Sequence, residues 1–439
     1  MNSQEYSDYH NSNVSYIDYL PKSWNISKVK YCFIRKNKKA HEENPVVLSL
    51  TRDNIKIRDI STGEGQLAES YYNYNPVDAG DLLLNPMDLY SGANCNVSKV
   101  KGVISPAYVN LRAKNNIDSR YYDYYFKIQY WSLAFFAHGK GVSEENRWTL
   151  NNETLMNYFV PVPDFEIQKQ IADFLDNKIS KIDSVIGYNQ KLIELLEEKR
   201  VALINRVVTK GLNPDVEMKN SGVEWIGEIP EHWDIEKLKN ISQVKLSNVD
   251  KKSKDNEPTV LLCNYTDVYN NEFITMNLDF MKATASYDQI RKLSLDVGDI
   301  IITKDSESSD DIAVPAIVTE ELDNVVCGYH LAVIQANTNV IYPKFLFRSF
   351  ESDEINKQFE YGANGFTRVG LGLYIINNAH VCVPPLFEQK QIANYLDKEI
   401  SNIIKAFDKI KEHTELLEEY KESLIYHVVT GKINVRGEI

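Results

Sequence analysis

Cysteine is scarce in this chain of 439 residues, and the few cysteines form no pattern. Cys32, Cys95, Cys263, Cys327 and Cys382 are odd in number and include no CxxC pair, which argues against a disulfide framework and against a zinc site. The eight histidines are dispersed as well. We therefore expect neither structural disulfides nor a metal centre.

Long apolar runs are also missing. No stretch approaches the roughly 20 apolar residues that a membrane-spanning helix needs. The first residues, MNSQEYSDYHNSN, lack the basic region and apolar core of a secretory signal. These absences predict a cytoplasmic protein.

Recognisable catalytic motifs are lacking too. The sequence contains no GxxxxGK[ST] phosphate loop. Asn85–Asp88 matches only the start of the Asn-Pro-Pro-aromatic motif of amino-methyltransferases, and no glycine-rich cofactor loop follows a strand upstream of it. We therefore predict a protein that is not an enzyme by itself.

Negative charge is concentrated in one part of the chain. The net charge is -13 overall, but it is +1 over residues 1–161 and -12 over residues 213–384. This acidity lowers the expectation of sequence-independent DNA binding, although bulk charge does not exclude a local basic groove.

The most informative feature that is present is an internal repeat. Residues 162–210 recur as residues 383–431 at a constant offset of 221, and 22 of the 49 positions are identical. Such a duplication indicates approximate twofold symmetry, so a partner of this protein is expected to bind twice.

Each repeat is predicted to be a long helix, extending over about 167–209 in the first copy. Apolar residues recur at alternating spacings of three and four, and both copies keep the same heptad register. Asn189 and Thr414 interrupt the apolar row at different places. If the helices pair with each other, these two residues either set the register or are merely tolerated.

Fainter correspondences precede each helix. They predict a matching entry segment, a Gly-Asp turn before an apolar strand, and a short buried aromatic helix. The paired segments are 20–30 with 229–239, 78–84 with 296–302, and 120–127 with 341–348.

The remaining segments mix short strands with occasional helix, so we predict the α+β class. The predicted strands are 46–50, 82–84, 260–262 and 300–303. Four segments follow from the repeat: a globular domain at 1–161, a helix segment at 162–212, a second globular domain at 213–382, and a second helix segment at 383–439.

Several motifs are shared with a known family: VPPLFEQKQIANYLD (383–397), GVISPAYVNL (102–111), WIGEIPEHW (225–233) and the ending VVTGK (428–432). With them, the chain resembles the specificity (S) subunits of type I restriction-modification enzymes over nearly its whole length. The first repeat departs from the family's Pro-Pro-Leu-x-Glu-Gln helix start, because it has Asp164 for the second proline and Ile167 in place of Glu388.

The resemblance implies a DNA reader without catalysis of its own. Two target recognition domains would each read one half of a split double-stranded DNA target, held apart by two long antiparallel helices. Two modification subunits would dock on the helices and methylate adenine N6 with S-adenosylmethionine. A restriction subunit that uses ATP and Mg and cleaves DNA would join them. The chain itself would bind no cofactor.

Residues shared by both repeats but not required by the apolar row are candidates for docking the two modification subunits. Two interpretations are open, because a recent duplication that has not drifted would leave the same identities. The candidates are Gln168, Lys169, Gln170, Glu197 and Glu198, with Gln389, Lys390, Gln391, Glu418 and Glu419.

Cations of the globular domains are candidates for DNA binding, because Arg and Lys contact phosphates and base edges. For any one of them a solvated surface charge is an open alternative. The candidates are Arg35, Lys36, Lys38, Lys39, Arg52, Arg58, Lys140 and Arg147 in the first domain, and Lys251, Lys252, Lys254, Lys304 and Arg368 in the second. Arg147 and Arg368 are equivalent at the offset of 221.

A different function class is also compatible with the sequence. In this alternative, the protein is a coiled-coil scaffold that binds two identical protein partners, and its globular domains bind proteins rather than DNA.

Overall fold

The computed structural model describes residues 6, 8–52, 54–61, 68–87, 89–90, 94–141, 148–365 and 367–436. The chain forms two units. Unit 1 combines Met1–Asn189 with Lys411–Ile439, and unit 2 is Gln190–Ile410. Each unit therefore contains one globular domain and a part of each repeated helix. The division into four segments stays a prediction.

Unit 1 is a mixed α and β structure. Its elements are β1 (Tyr9–Val14), β2 (Ile17–Pro21), β3 (Asn25–Lys28), α1 (Val29–Cys32), β4 (Phe33–Lys36), β5 (Leu48–Leu50), β6 (Ile55–Ile57), β7 (Asn75–Val77), β8 (Leu82–Leu84), β9 (Cys95–Val97), β10 (Gly102–Ile104), β11 (Val109–Ala113), α2 (Ser119–Trp131), α3 (Ala134–His138), α4 (Asn152–Asn157), β12 (Phe159–Val162) and the first part of α5 (Phe165–Lys210).

The core of unit 1 lies between a four-stranded antiparallel sheet, ordered β4-β11-β8-β9, and helix α2. The aromatic side chains at positions 121, 122, 125 and 126 of α2 are at most 1% exposed. This burial confirms the buried aromatic helix predicted from the sequence. The same core contains apolar residues of α5 and of residues 424–429.

Unit 2 repeats this plan with a larger sheet. Its elements are the rest of α5, then β13 (Met218–Asn220), β14 (Glu228–Pro230), β15 (Asp234–Lys237), α6 (Leu238–Ile241), β16 (Ser242–Leu246), β17 (Thr259–Cys263), α7 (Tyr265–Tyr269), β18 (Phe273–Ile274), β19 (Met281–Thr284), α8 (Tyr287–Leu293), β20 (Ile300–Thr303), β21 (Asp305–Ser306), β22 (Pro315–Val318), β23 (Val325–Cys327), β24 (Leu331–Ala336), α9 (Pro343–Phe350), α10 (Asp353–Gly362), β25 (Val369–Gly370), α11 (Leu373–Asn378), β26 (His380–Val383) and the first part of α12 (Leu386–Val429).

The main sheet of unit 2 has the order β16-β24-β20-β22-β18. A second sheet, β19-β17-β23, adds a separate apolar core. The four strands predicted from the sequence are found as β5, β8, β17 and β20. The α+β class is therefore confirmed, and the internal repeat is confirmed as a structural one.

The two repeated segments form the helices α5, with 46 residues, and α12, with 44 residues. Within unit 1 their parts are antiparallel, because Asp183 contacts Lys421 at 2.9 Å while Asn189, farther along α5, contacts Thr414, earlier on α12. Within unit 2, Ile204 of α5 shares one core with Ile400 of α12 and with other apolar residues of both helices.

The two polar residues that interrupt the heptad row contact each other in unit 1. Asn189 Nδ2 donates a hydrogen bond to Thr414 Oγ1 at 2.9 Å. Because this bond joins the two unlike polar positions, it favours one register of the antiparallel pair. The contact between the two residues is observed, and their role in setting the register stays a prediction.

Both long helices end in the same way. Gly211 follows α5 with φ +74, and Gly431 lies just beyond α12 with φ +72. This left-handed conformation at a helix end favours glycine. The fully buried Trp233 of unit 2 packs at Gly211, and Trp24 of unit 1 packs at Gly431. The entry segments therefore serve to cover the helix ends.

One alignment made from the sequence is wrong by three residues. The residues before α2 and α9 that are held by equivalent positions of the long helices are Asp118 and Tyr342, which differ by 224 rather than 221. Tyr124 of α2 therefore corresponds to Arg348 of α9. A shift of three is almost one helical turn, so the apolar pattern alone did not resolve it.

All five cysteines are buried and free. Burial raises the pKa of the Cys382 thiol to about 12, as expected for thiols that pack as apolar groups. In the described ranges, no helix has the length and apolar character needed to cross a membrane.

Candidate docking and DNA-binding surfaces

Two glutamines predicted to face outward are instead buried. Gln168 and Gln389 have no exposed surface. Gln389 Nε2 donates to the carbonyl oxygens of Pro384 at 2.7 Å and Val340 at 3.0 Å, and its Oε1 accepts from the Tyr342 amide at 2.6 Å. The prediction that these two residues dock a partner is wrong, because all their polar atoms are used inside the unit.

Gln168 makes the same contacts in unit 1. Its Nε2 donates to Pro163 O at 2.7 Å and to Asn116 O at 3.4 Å, and its Oε1 accepts from the Asp118 amide at 3.0 Å. Each glutamine thus ties the start of a long helix to the start of the globular domain's aromatic helix. Internal hydrogen bonding accounts for this part of the repeat.

A second anchor lies two turns farther along each long helix, and the sequence reasoning missed it. Asp176 accepts from Tyr124 Oη at 2.8 Å and pairs with Arg120 at 3.0 Å. Its equivalent, Asp397, pairs with Arg348 at 3.0 Å and with a lysine of the same helix. The identity of the aspartate in both repeats was the signal that could have revealed it.

Unit 2 extends this anchor into a network of buried charges. Arg348, 2% exposed, pairs with Glu351 at 2.7 Å and with Glu272 at 3.2 Å, and Arg200 of α5 pairs with both glutamates. Burial raises the pKa of Glu351, and the charge of Arg348 opposes that rise. The network fixes α5, α9 and α12 to the globular domain of unit 2.

The other docking candidates lie on the surface. Lys169 and Gln170 belong to unit 1 with Glu418 and Glu419, whereas Lys390 and Gln391 belong to unit 2 with Glu197 and Glu198. Gln170 is half-buried and the other seven are exposed. Each unit therefore presents one complete set, and each set combines residues of both repeats.

The DNA-binding candidates of the first cluster lie in different environments, and Lys36 is paired inside unit 1. Lys36 Nζ contacts Asp81 at 2.6 Å and Asp78 at 2.9 Å, so its charge is neutralised inside unit 1. Arg112, which the sequence reasoning missed, pairs with the same two aspartates. Hydrogen bonds from Lys36 and then Arg112 lower the pKa of Asp78. Lys36 is therefore an internal ion-pair partner.

The other candidates of unit 1 are spread over several loops. Arg35 is half-buried on β4, and Lys38 and Lys39 are exposed just beyond it. Arg52 and Arg58 flank the β5-β6 hairpin. Lys140 is exposed, and its backbone forms an isolated antiparallel β-bridge with Thr149. Arg147 lies outside the described residues. The described cations of this group therefore belong to three separate segments of the chain.

In unit 2, two candidates do come together. Lys251 and Arg368 line one cavity of about 400 Å³, with Tyr265, Glu307 and His330 among its other walls. Lys252 is exposed nearby in sequence, and Lys254 pairs with Glu257 at 3.1 Å. These two surface lysines are not among the residues that line the cavity.

The candidate Lys304 lies beside this cavity and is already paired. Its Nζ contacts Asp305 at 3.0 Å and lies 4.7 Å from the centre of the Tyr329 ring. His330 Nδ1 also contacts Asp305, at 2.9 Å. Lys304 is 12% exposed, so its charge is largely used by this ion pair inside unit 2.

The cavity opens where several elements of unit 2 end. Strand β20 ends just before Lys304, which lies beside the cavity. His330 immediately precedes β24, and Tyr265, separated from the end of β17 by one residue, begins α7. Loops at the ends of strands combine a rigid scaffold with variable side chains, and they commonly carry binding residues. We call this site the unit 2 cavity.

Comparison with known proteins identifies the family of this chain. The family model "Type I restriction modification DNA specificity domain" matches residues 91–195 and 230–417. The type I restriction enzyme MjaVIII specificity subunit of Methanocaldococcus jannaschii is 27% identical over 373 residues, covering 82% of this chain and 81% of that protein. The EcoBI specificity subunit of Escherichia coli is 23% identical, covering 80% and 75%.

Solved structures agree in fold. A chain from a structure on complex assembly and conformational transition of the type I R-M system has a TM-score of 0.70 at 12% identity, with 96% and 99% of the two chains covered. The HsdS subunit from Thermoanaerobacter tengcongensis has a TM-score of 0.56 at 12% identity, with 94% and 98% covered. The chain belongs to the family of type I restriction-modification DNA specificity subunits.

Proposed function

We propose that this chain selects the DNA sequence for a type I restriction-modification complex by reading a bipartite double-stranded target. The globular domain of unit 1 reads one half and that of unit 2 reads the other. The observation that carries this proposal is the contrast within the repeat. The anchors at Gln168 and Gln389 are the same in both units, whereas the net charge differs from +1 over residues 1–161 to -12 over residues 213–384.

The repetition of the same surface residues in both units supports docking of two identical partners. Each unit presents one set of lysine, glutamine and glutamate side chains from the repeats. Two adenine-N6 methyltransferase subunits fit this arrangement, one for each set. In this account the chain is not catalytic. S-adenosylmethionine belongs to the modification subunit, and ATP and Mg belong to a restriction subunit that joins the complex in the cytoplasm.

Selection from a randomised duplex library tests the DNA-reading function. The chain is co-purified with its modification subunit, and the duplexes that the complex retains are sequenced. Two short specified segments separated by a gap of unspecified bases are expected. A complex that forms but enriches no sequence would contradict the proposal and favour a protein scaffold.

Charge reversal tests the docking function. Glu197→Lys alters the set of unit 2 and Glu418→Lys alters that of unit 1, so each single variant should retain one modification subunit and the double variant none. Native mass spectrometry of the co-purified complex gives this count. Lys199→Glu is the matched control, because this exposed residue lies about 200° around α5 from Glu197. A normal complex with the double variant would exclude these glutamates as docking residues.

A further inference from the structure

We propose that the unit 2 cavity reads one G·C base pair through the major groove, with Arg368 contacting guanine and Glu307 contacting its cytosine. This inference rests on the proposed DNA-reading function and adds the residues and the class of base pair. It differs from the expectation that any cation of this domain contacts DNA.

The two residues are placed side by side by strand pairing. In the antiparallel pair β21-β25, Asp305 lies opposite Gly370 and Ser306 lies opposite Val369. Continuing the register by one position places Glu307 opposite Arg368. Cross-strand neighbours of this kind have side chains within reach of each other. Arg368 Nη2 and Glu307 Oε1 are in fact 3.9 Å apart.

Backbone hydrogen bonds join the two described segments on either side of residue 366, one of which carries Arg368. Asn364 and Gly370 exchange two backbone hydrogen bonds, at 3.0 and 3.2 Å. Gly365 has φ +154, and a Cβ there would lie 1.8 Å from the Arg368 carbonyl oxygen. The backbone of Arg368 is therefore positioned before DNA binds, while its side chain is 65% exposed.

The charges of the cavity argue against a phosphate site. Asp305, Glu307 and Asp311 line it, against the cations Lys251 and Arg368. Lys304 pairs with Asp305, whereas Glu307 lies next to Arg368. A carboxylate beside the arginine disfavours a DNA phosphate at that place, so Arg368 and Glu307 have to be considered together. They favour a surface that offers hydrogen-bond donors next to acceptors, and the edge of a base pair is such a surface.

A G·C pair fits the arrangement of Arg368 and Glu307. In the major groove, guanine presents the acceptors N7 and O6, to which an arginine binds with two donors, and cytosine presents the N4 amino donor, to which a carboxylate binds. O6 and N4 are hydrogen-bonded to each other within the pair, so the two groups are adjacent. At 3.9 Å the Arg368 and Glu307 side chains are also adjacent, yet too far apart for a direct hydrogen bond.

Library selection with the complete complex tests this assignment. Arg368→Ala and Glu307→Ala should each relax the same single G·C position in one half of the target, by about 5- to 150-fold in base preference. Arg368→Lys keeps the charge but loses the two-pronged donor, so it should relax that position as well. Arg291→Ala, which removes another exposed arginine of unit 2, should leave the target unchanged.

Each other outcome overturns the assignment. An unchanged target excludes base contact by Arg368. A uniform loss of affinity in Arg368→Ala that Arg368→Lys restores means a phosphate contact instead. Relaxation of an A·T position, or of two different positions by the two alanine variants, contradicts the shared G·C pair. If the unaltered complex enriches no sequence at all, the proposed DNA-reading function itself fails.

Discussion

Removing the side chain of Gln389 tests the conclusion that the repeated glutamines are internal anchors. In Gln389→Ala, the carbonyl oxygens of Pro384 and Val340 and the amide of Tyr342 lose a partner whose own side chain has no solvent exposure. Each buried group left unsatisfied costs about 1–3 kcal/mol. Allowing for partial relaxation, the free energy of unfolding of unit 2 should fall by about 3–6 kcal/mol.

The magnitude is large enough to be measured in urea. Unfolding of the full chain is followed by circular dichroism and by tryptophan fluorescence, because two units can unfold in separate transitions. Gln391→Ala is the matched control. Its side chain is exposed two residues farther along α12, so its effect should stay within about 0.5 kcal/mol.

Gln168→Ala should destabilise unit 1 somewhat less, because one of its three hydrogen bonds is longer, at 3.4 Å. A loss of under about 1 kcal/mol in Gln389→Ala would refute the anchor. Loss of the modification subunit with unchanged stability would restore the docking role that burial excludes.

Three further predictions concern the helix end, the buried charges and acidification. Gly211→Ala should destabilise unit 2 more than Gly222→Ala, since both have positive φ but only at Gly211 does a Cβ approach a tryptophan, at 3.0 Å; urea midpoints give the difference, and equal losses would exclude the contact. Arg348→Met should cost about 3–5 kcal/mol in urea unfolding, because it removes the most buried cation of the network and leaves the buried Glu351 with Arg200 as its remaining partner; a neutral effect would contradict the network. The pKa of Asp78 is lowered, so the ionised carboxylate stabilises the folded state above the ordinary aspartate pKa near 4, and this stabilisation is lost as the pH falls further. Asp78→Asn should therefore flatten the decline of the urea midpoint below about pH 4. An unchanged decline would exclude this ion pair.

The long helices could be predicted well because their stabilisation depends on local periodicity. The heptad row and the terminal glycines placed α5 within two residues of its observed start and one of its end. The second copy of the repeat showed the same heptad pattern again, which supported the prediction of a helix in both segments. What periodicity could not give was the use of each helix by both units, since that depends on contacts between residues distant in sequence.

The site residues were predicted less well, for a physical reason. A glutamine or lysine in a sequence carries no sign of whether its polar atoms are satisfied inside the protein. Gln168 was read as an outward residue because it lies outside the apolar row of the helix, and Lys36 was read as a DNA-binding candidate although two aspartates neutralise it. Arg368 and Glu307 are 61 residues apart, so their pairing required the β21-β25 register.

The most direct test of the central claim is sequencing of adenine methylation in the genome of cells that express this chain with its modification subunit, compared with cells that express the modification subunit alone. A new methylated motif in two specified halves separated by a fixed gap is expected, present only with this chain. A stable complex that adds no methylation, or that methylates one continuous sequence, would contradict it.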